Sequence, residues 1–148
     1  MKSSLRVKAQ QSSSCYNSAL RMLTRREHSL FELEQKLTQK DFEQQQIDQA
    51  LARLVEQGYQ SDERFAEAFI RLRHNQGKGP VKITAELKQR GVTHFDLSVF
   101  DFFELAKTVR LKKFGDTVPN NYQEKAKQQR FLQSRGFSFE QINHAIDS

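Results

Sequence analysis

The chain has a single cysteine, Cys15, no tryptophan, two prolines and six glycines among 148 residues. One thiol can form neither an intramolecular disulfide nor a thiolate cluster around zinc, and its isolation suits a reducing, cytoplasmic compartment. So little proline and glycine excludes a turn-rich all-β protein and a low-complexity linker. No apolar run approaches the roughly 18 residues of a membrane span. Met1 to Ser14 carries basic residues without an apolar segment, which speaks against secretion and leads us to expect a flexible arm over residues 1–15. Hydrophobic residues make up only 36% of the chain, too few to bury both faces of a parallel sheet. Thin helical packing is easier to supply.

Charge is abundant but segregated. The formal net charge is +6, yet Glu27 to Glu63 holds nine acidic residues against Lys36, Lys40 and Arg53, a net of −6, so the remainder carries +12. The positive residues gather in the N-terminus through Arg26, from Arg64 to Arg90, and from Lys107 to Arg135. Such segregation predicts different faces for different contacts.

Apolar spacing predicts helix nearly throughout. Ser29 with Glu32 forms a capping box ahead of Leu30, Leu33 and Leu37. Ile47, Leu51, Leu54 and Val55 make a core stripe on a helix that stops at Gly58. Ser61 opens a third segment with Phe65, Phe69 and Leu72 facing inward, and Gly77-Lys78-Gly79-Pro80 breaks it. Pro80 then starts a helix that buries Ile83 and Leu87 and ends at Gly91.

Three windows align: Leu33 to Phe42, Ile83 to Val92 and Gln128 to Phe137. Leu37, Leu87 and Leu132 coincide, as do Lys40, Arg90 and Arg135, then Asp41, Gly91 and Gly136. Further on, Ile47 matches Leu97 and Ile142. A helical period of 40 to 50 residues predicts an all-α chain of three tandem three-helix repeats, 16–60, 61–104 and 105–148, forming an elongated, curved array. The repeat also predicts helix across Phe95–Glu104, a stretch whose partial alternation would by itself suit a strand.

Catalytic constellations are missing. His28, His74, His94 and His144 are scattered without metal-ligand spacing and are read as surface or capping histidines; Cys15 has no histidine near it in sequence. Gly77-Lys78-Gly79-Pro80 lacks the spacing of a phosphate-binding loop. The sequence therefore predicts no enzyme, no metal and no cofactor. Exposed cations of the second and third repeats are the candidate site: Arg71, Arg73, Lys78, Lys82, Lys88, Arg90, Lys112, Lys113, Lys127, Arg130 and Arg135. They suit phosphate contact without base readout, or contact with a protein filament on nucleic acid. Arg90 and Arg135 also fall at helix C-termini, where a cation already interacts favourably with the dipole.

The stretch Asp62 to Val92, with its Gly-x-Gly-Pro hinge, closely resembles the central signature of the RecX regulatory proteins. Ala19 to Leu23 with Ser29 to Leu37 is similar to that family's first repeat, and Lys112 to Gly115 with Lys127 to Phe137 to its third. The resemblance spans residues 16–146, with one departure: Asp41 stands where the other two repeats have glycine. It implies a cytosolic modulator, acting as a monomer, that lies along the groove of the RecA filament on single-stranded DNA. It further implies inhibition of ATP hydrolysis, strand exchange and co-protease activity, in DNA repair, recombination and the SOS response. The charge taken alone leaves an alternative, a sequence-independent nucleic-acid-binding helical array.

Overall fold

The computed structural model describes the backbone of residues 2–147 and the side chains from Ser14 onward. Among the described residues the chain is all-α, with eight helices: α1 (Lys2–Arg25), α2 (Leu30–Gln39), α3 (Gln44–Glu56), α4 (Asp62–Asn75), α5 (Pro80–Gln89), α6 (Phe102–Phe114), α7 (Tyr122–Ser134) and α8 (Phe139–Asp147). It divides into two compact units, one of residues up to Ala68 with Arg90–His94, the other of Phe69–Gln89 with Phe95 onward.

Helix starts are set by short polar side chains three residues ahead of an amide. The Ser29 hydroxyl accepts from the Glu32 amide at 3.1 Å while the Ser29 amide donates back to the Glu32 carboxylate, the expected capping box. Ser61, Asp101, Asn121 and Ser138 accept from the amides of Arg64, Glu104, Glu124 and Gln141 in the same way. Each satisfies an amide that the first helical turn leaves without a partner. Helix ends rely on left-handed backbone: Asp41 adopts φ 66, beside φ 75 and 95 at the aligned Gly91 and Gly136. Asp41 is thus the same device in another residue, since aspartate tolerates this region better than most side chains.

In the first unit α1, α2 and α3 enclose a core of Ala19, Leu33, Leu37, Ile47, Ala50, Leu51 and Leu54, joined by Cys15. Cys15 was expected in a polar, mobile stretch; it is fully buried, because it and Ala19 lie one turn apart on the inner face of α1, and burial pushes its thiol up from the ordinary value. Helical backbone continues back to Lys2, through the segment expected as a flexible arm. In the second unit α6, α7 and α8 pack on one another, and Arg110 of α6 is buried with its guanidinium donating to Gln128 of α7 at 2.9 Å and to the Thr117 carbonyl at 3.0 Å.

Two inward residues are corrected. Val55 is 45% exposed and Leu72 53% exposed. At 100° per residue each lies about 90° from the centre of its helix's buried stripe, which on α3 runs through Ile47, Ala50, Leu51 and Leu54 and on α4 through Phe65, Ala66, Phe69 and Ile70.

The helix expected across Phe95–Glu104 begins only at Phe102. Asp96 accepts from both the amide and the hydroxyl of Ser98, and the Leu97 carbonyl accepts from the Phe100 amide at 3.2 Å, so two successive turns displace helical hydrogen bonding before Asp101 caps α6. The apolar surplus forms an aromatic cluster instead. The Phe100 and Phe102 rings lie 4.8 and 5.4 Å from the His74 ring, with the Arg71 guanidinium 5.6 Å above Phe100.

His28, read from sequence as a surface or capping residue, is 2% exposed. Its Nδ1 faces the Arg26 carbonyl and its Nε2 the Lys36 ammonium, both at 3.1 Å, the pattern of a neutral ring that donates to the carbonyl and accepts from the lysine. Burial, reinforced by the charges of Arg26 and Lys36, lowers its pKa. Burial alone would raise the neighbouring Glu32, but Arg26 and the Ser29 amide outweigh it and hold that carboxyl below its ordinary range. The unfolded chain therefore takes up a proton at His28 before the folded chain does. Stability from His28 is complete above about pH 6.5 and is lost as pH falls below that value. Urea unfolding of the native protein and of His28→Gln at about pH 7.5 and pH 5.5 checks this, the native midpoint falling more steeply on acidification; parallel shifts would contradict it.

Candidate functional site

The Gly77-Lys78-Gly79-Pro80 hinge is a backbone junction. The Gly79 amide donates to the Arg135 carbonyl at 2.7 Å, and the Val81 amide to the Gly136 carbonyl at 2.9 Å, joining the start of α5 to the end of α7. The approach is so close that a Cβ on Gly79 would collide with the Gly136 carbonyl, and one on Gly136 with Lys82. Only glycine at both positions permits this crossing.

The junction gathers cations. Lys78 feels, after burial, the charges of Lys82, Arg135 and Arg73, which together lower its pKa against the opposing pull of Glu86. Beside it opens a cleft of about 390 Å³ lined by Asn75, Gly77, Val109, Lys112, Lys113 and Arg135, among others. Phe131 forms part of its wall. The Lys113 ammonium lies 5.5 Å from the centroid of that ring and the Arg135 guanidinium 5.1 Å, while the Phe114 ring stands perpendicular to it with centroids 5.3 Å apart. Cation–π contact holds the two charges at the cleft without neutralising them.

Six of the eleven candidate residues thus converge: Arg73, Lys78, Lys82, Lys112, Lys113 and Arg135. Arg73 has a structural duty as well, since its Nε donates to Glu86 at 2.7 Å and its guanidinium stacks over Phe69. The others stand apart from the cleft lining. Arg71 lies over Phe100, Lys88 is exposed near the end of α5, and Lys127 and Arg130 are exposed on α7. Arg90 belongs to the first unit, where its Nε is 3.9 Å from a Glu32 carboxylate oxygen.

Sequence reasoning passed over the cleft's apolar wall, Leu105 and Val109 with Phe131, of which Phe131 holds the cations. In the aligned windows Phe131 takes the position of Lys36 and Glu86, so an aromatic ring replaces a charge there. That break in the repeat was the available signal.

Three family models match in order along the chain: the first three-helix domain of RecX over residues 15–54, the second over 61–96 and the third over 101–146. The chain is 42% identical to Regulatory protein RecX of Vibrio vulnificus over 139 residues, 90% of this chain and 91% of that one. To Regulatory protein RecX of Halorhodospira halophila it is 39% identical over 135 residues, 87% and 84% of the two chains. Its fold matches the crystal structure of RecX from Lactobacillus salivarius at a TM-score of 0.78 and 24% identity, over 94% of this chain and 96% of that one.

The junction makes a differential prediction. Gly58 and Gly136 both end helices with positive φ, so alanine at either costs about 1–2 kcal/mol of backbone strain. Open space surrounds Gly58, whereas Gly136 meets Lys82. Gly136→Ala should therefore lose about 1–3 kcal/mol more than Gly58→Ala, as overpacking does. Denaturant midpoints of the two variants measure the difference, and equal losses would show that the junction is loose.

Proposed function

The chain belongs to the RecX family of regulatory proteins, and on that premise we propose that it binds the RecA filament on single-stranded DNA along its groove. There it restrains ATP hydrolysis, strand exchange and co-protease activity. The reading assigns it no catalysis of its own: it acts as a cytoplasmic monomer without cofactor, by occupying surface on the filament. The observation that carries the proposal is the run of three family matches spanning residues 15–146. The convergence of Lys78, Lys82, Lys112, Lys113 and Arg135 supports it, because it supplies a positive contact surface for a polyanionic assembly. Arg73, tied to Glu86, is a secondary member of that cluster; Arg71, Lys88, Lys127 and Arg130 remain peripheral candidates on the second unit, and Arg90 a separate candidate on the first.

The segregation of charge favours a second reading, sequence-independent binding to bare nucleic acid. The two separate by salt. Contacts with single-stranded phosphates weaken with a log–log slope of about −0.7 per neutralised phosphate.

The test is ATP hydrolysis by RecA on single-stranded DNA with substoichiometric protein added. Hydrolysis should fall, and the double reversal Lys112→Glu with Lys113→Glu should relieve the inhibition while leaving the melting temperature within a few degrees, as surface substitutions do. An unchanged rate with the native protein, together with tight, steeply salt-dependent binding to bare DNA, would replace the first reading with the second.

A further inference from the structure

One construction occurs twice in this molecule, with different charges. After α5, Arg90 and Gly91 meet the start of α2: a Cβ on Gly91 would lie 2.7 Å from the Phe31 Cβ, and Arg90 pairs with Glu32. After α7, Arg135 and Gly136 meet the start of α5, and Gly136 abuts Lys82. The aligned windows place Arg135 on Arg90, Gly136 on Gly91 and Lys82 on Glu32. An Arg–Glu pair in the first junction is therefore an Arg–Lys pair in the second. No ion pair among the described residues includes Lys78, Lys82 or Arg135, and the neighbouring Glu86 carboxylate is held by Arg73.

We propose that the second junction takes from a partner the carboxylate that the first junction supplies for itself, so that the cleft beside it is a docking site for an acidic peptide segment. Three features favour a peptide over a nucleic acid strand. The amides of Gly77, Lys78, Gly79 and Val81 are all engaged by main-chain carbonyls, so the hinge offers no cradle of free N–H groups for a phosphate. Phe131 is flanked by two cations and a perpendicular ring and is a seat for charge, not a platform on which a base could stack. Leu105 and Val109 add apolar wall beside Lys112 and Lys113, a mixture that suits side chains spaced along a peptide.

This deepens the filament-binding reading by naming the chemistry of one contact, and its test contains no recombinase, so either can fail while the other stands. Fluorescence anisotropy of a labelled peptide of alternating Glu and Gly, titrated with the full chain, should show binding that the Gln and Gly counterpart lacks. Lys82→Glu rebuilds the internal pair seen in the first junction. It should fold at least as stably as the native chain and weaken peptide binding about tenfold, the loss expected of one charge-assisted contact. Arg21→Glu, an equal change of charge on α1, should leave binding unaltered. Equal affinity for the two peptides, or peptide binding indifferent to Lys82→Glu, would overturn the proposal. Tighter binding of a labelled oligodeoxythymidine at the same residues would overturn it too, in favour of a phosphate site.

Discussion

Two main-chain hydrogen bonds, from Gly79 to Arg135 and from Val81 to Gly136, hold together the second unit's cationic junction. They unite segments distant in sequence at a distance that no Cβ could share, and they bring Lys78, Lys82 and Arg135 together, while Lys112 and Lys113 reach the cleft from α6. Lys78 and Lys82 flank the donor segment of this contact and Arg135 its acceptor, so this part of the cationic cluster follows from backbone geometry before any side chain chooses a rotamer. Crowding positive charge is unfavourable in itself. It persists because covalent neighbours of the stitched glycines carry the charge, and because Phe131 offers two of the cations a ring face.

Elsewhere the molecule is specified by local devices. Five helices begin with a polar side chain capping the amide three residues ahead, and the aligned windows end in left-handed residues. These devices act over a few residues and leave the thin cores little to decide beyond which face turns inward. The buried Arg110 with Gln128, and the buried His28 between a carbonyl and a lysine, show how polar groups enter such cores when each donor and acceptor is matched.

That division explains what could be read in advance. The Ser29 capping box, the role of Pro80 and the buried Leu33, Leu37, Ile83 and Leu87 follow from spacing within one helix, and Leu132 from the repeat, and all were legible; Asp41 was read as a departure, and only its backbone shows it to be left-handed like Gly91 and Gly136. Val55 and Leu72 were misplaced because membership of a stripe and its edge differ by one helical step. Phe95–Asp101 was misread because the repeat outvoted the local turn chemistry of Asp96 and Ser98. Cys15 was read into a mobile stretch because composition cannot see the core that α2 and α3 close over it, and His28 as a surface or capping residue because spacing did not reveal that the Arg26 carbonyl and Lys36 would match its ring. The cleft was half legible: its lysines and arginines stood out as charge, but their convergence depends on the Gly79 to Gly136 crossing, which no local pattern reveals.

The same crossing sets an order of assembly. Capped helices can form as soon as their own residues exist, whereas the carbonyls that receive Gly79 and Val81 belong to Arg135 and Gly136, far later in the sequence. During synthesis the first unit's helices α1 to α3 are complete long before Arg135 and Gly136 leave the ribosome. The cationic cleft is thus a late product of translation, absent from any nascent or truncated chain that stops short of α7.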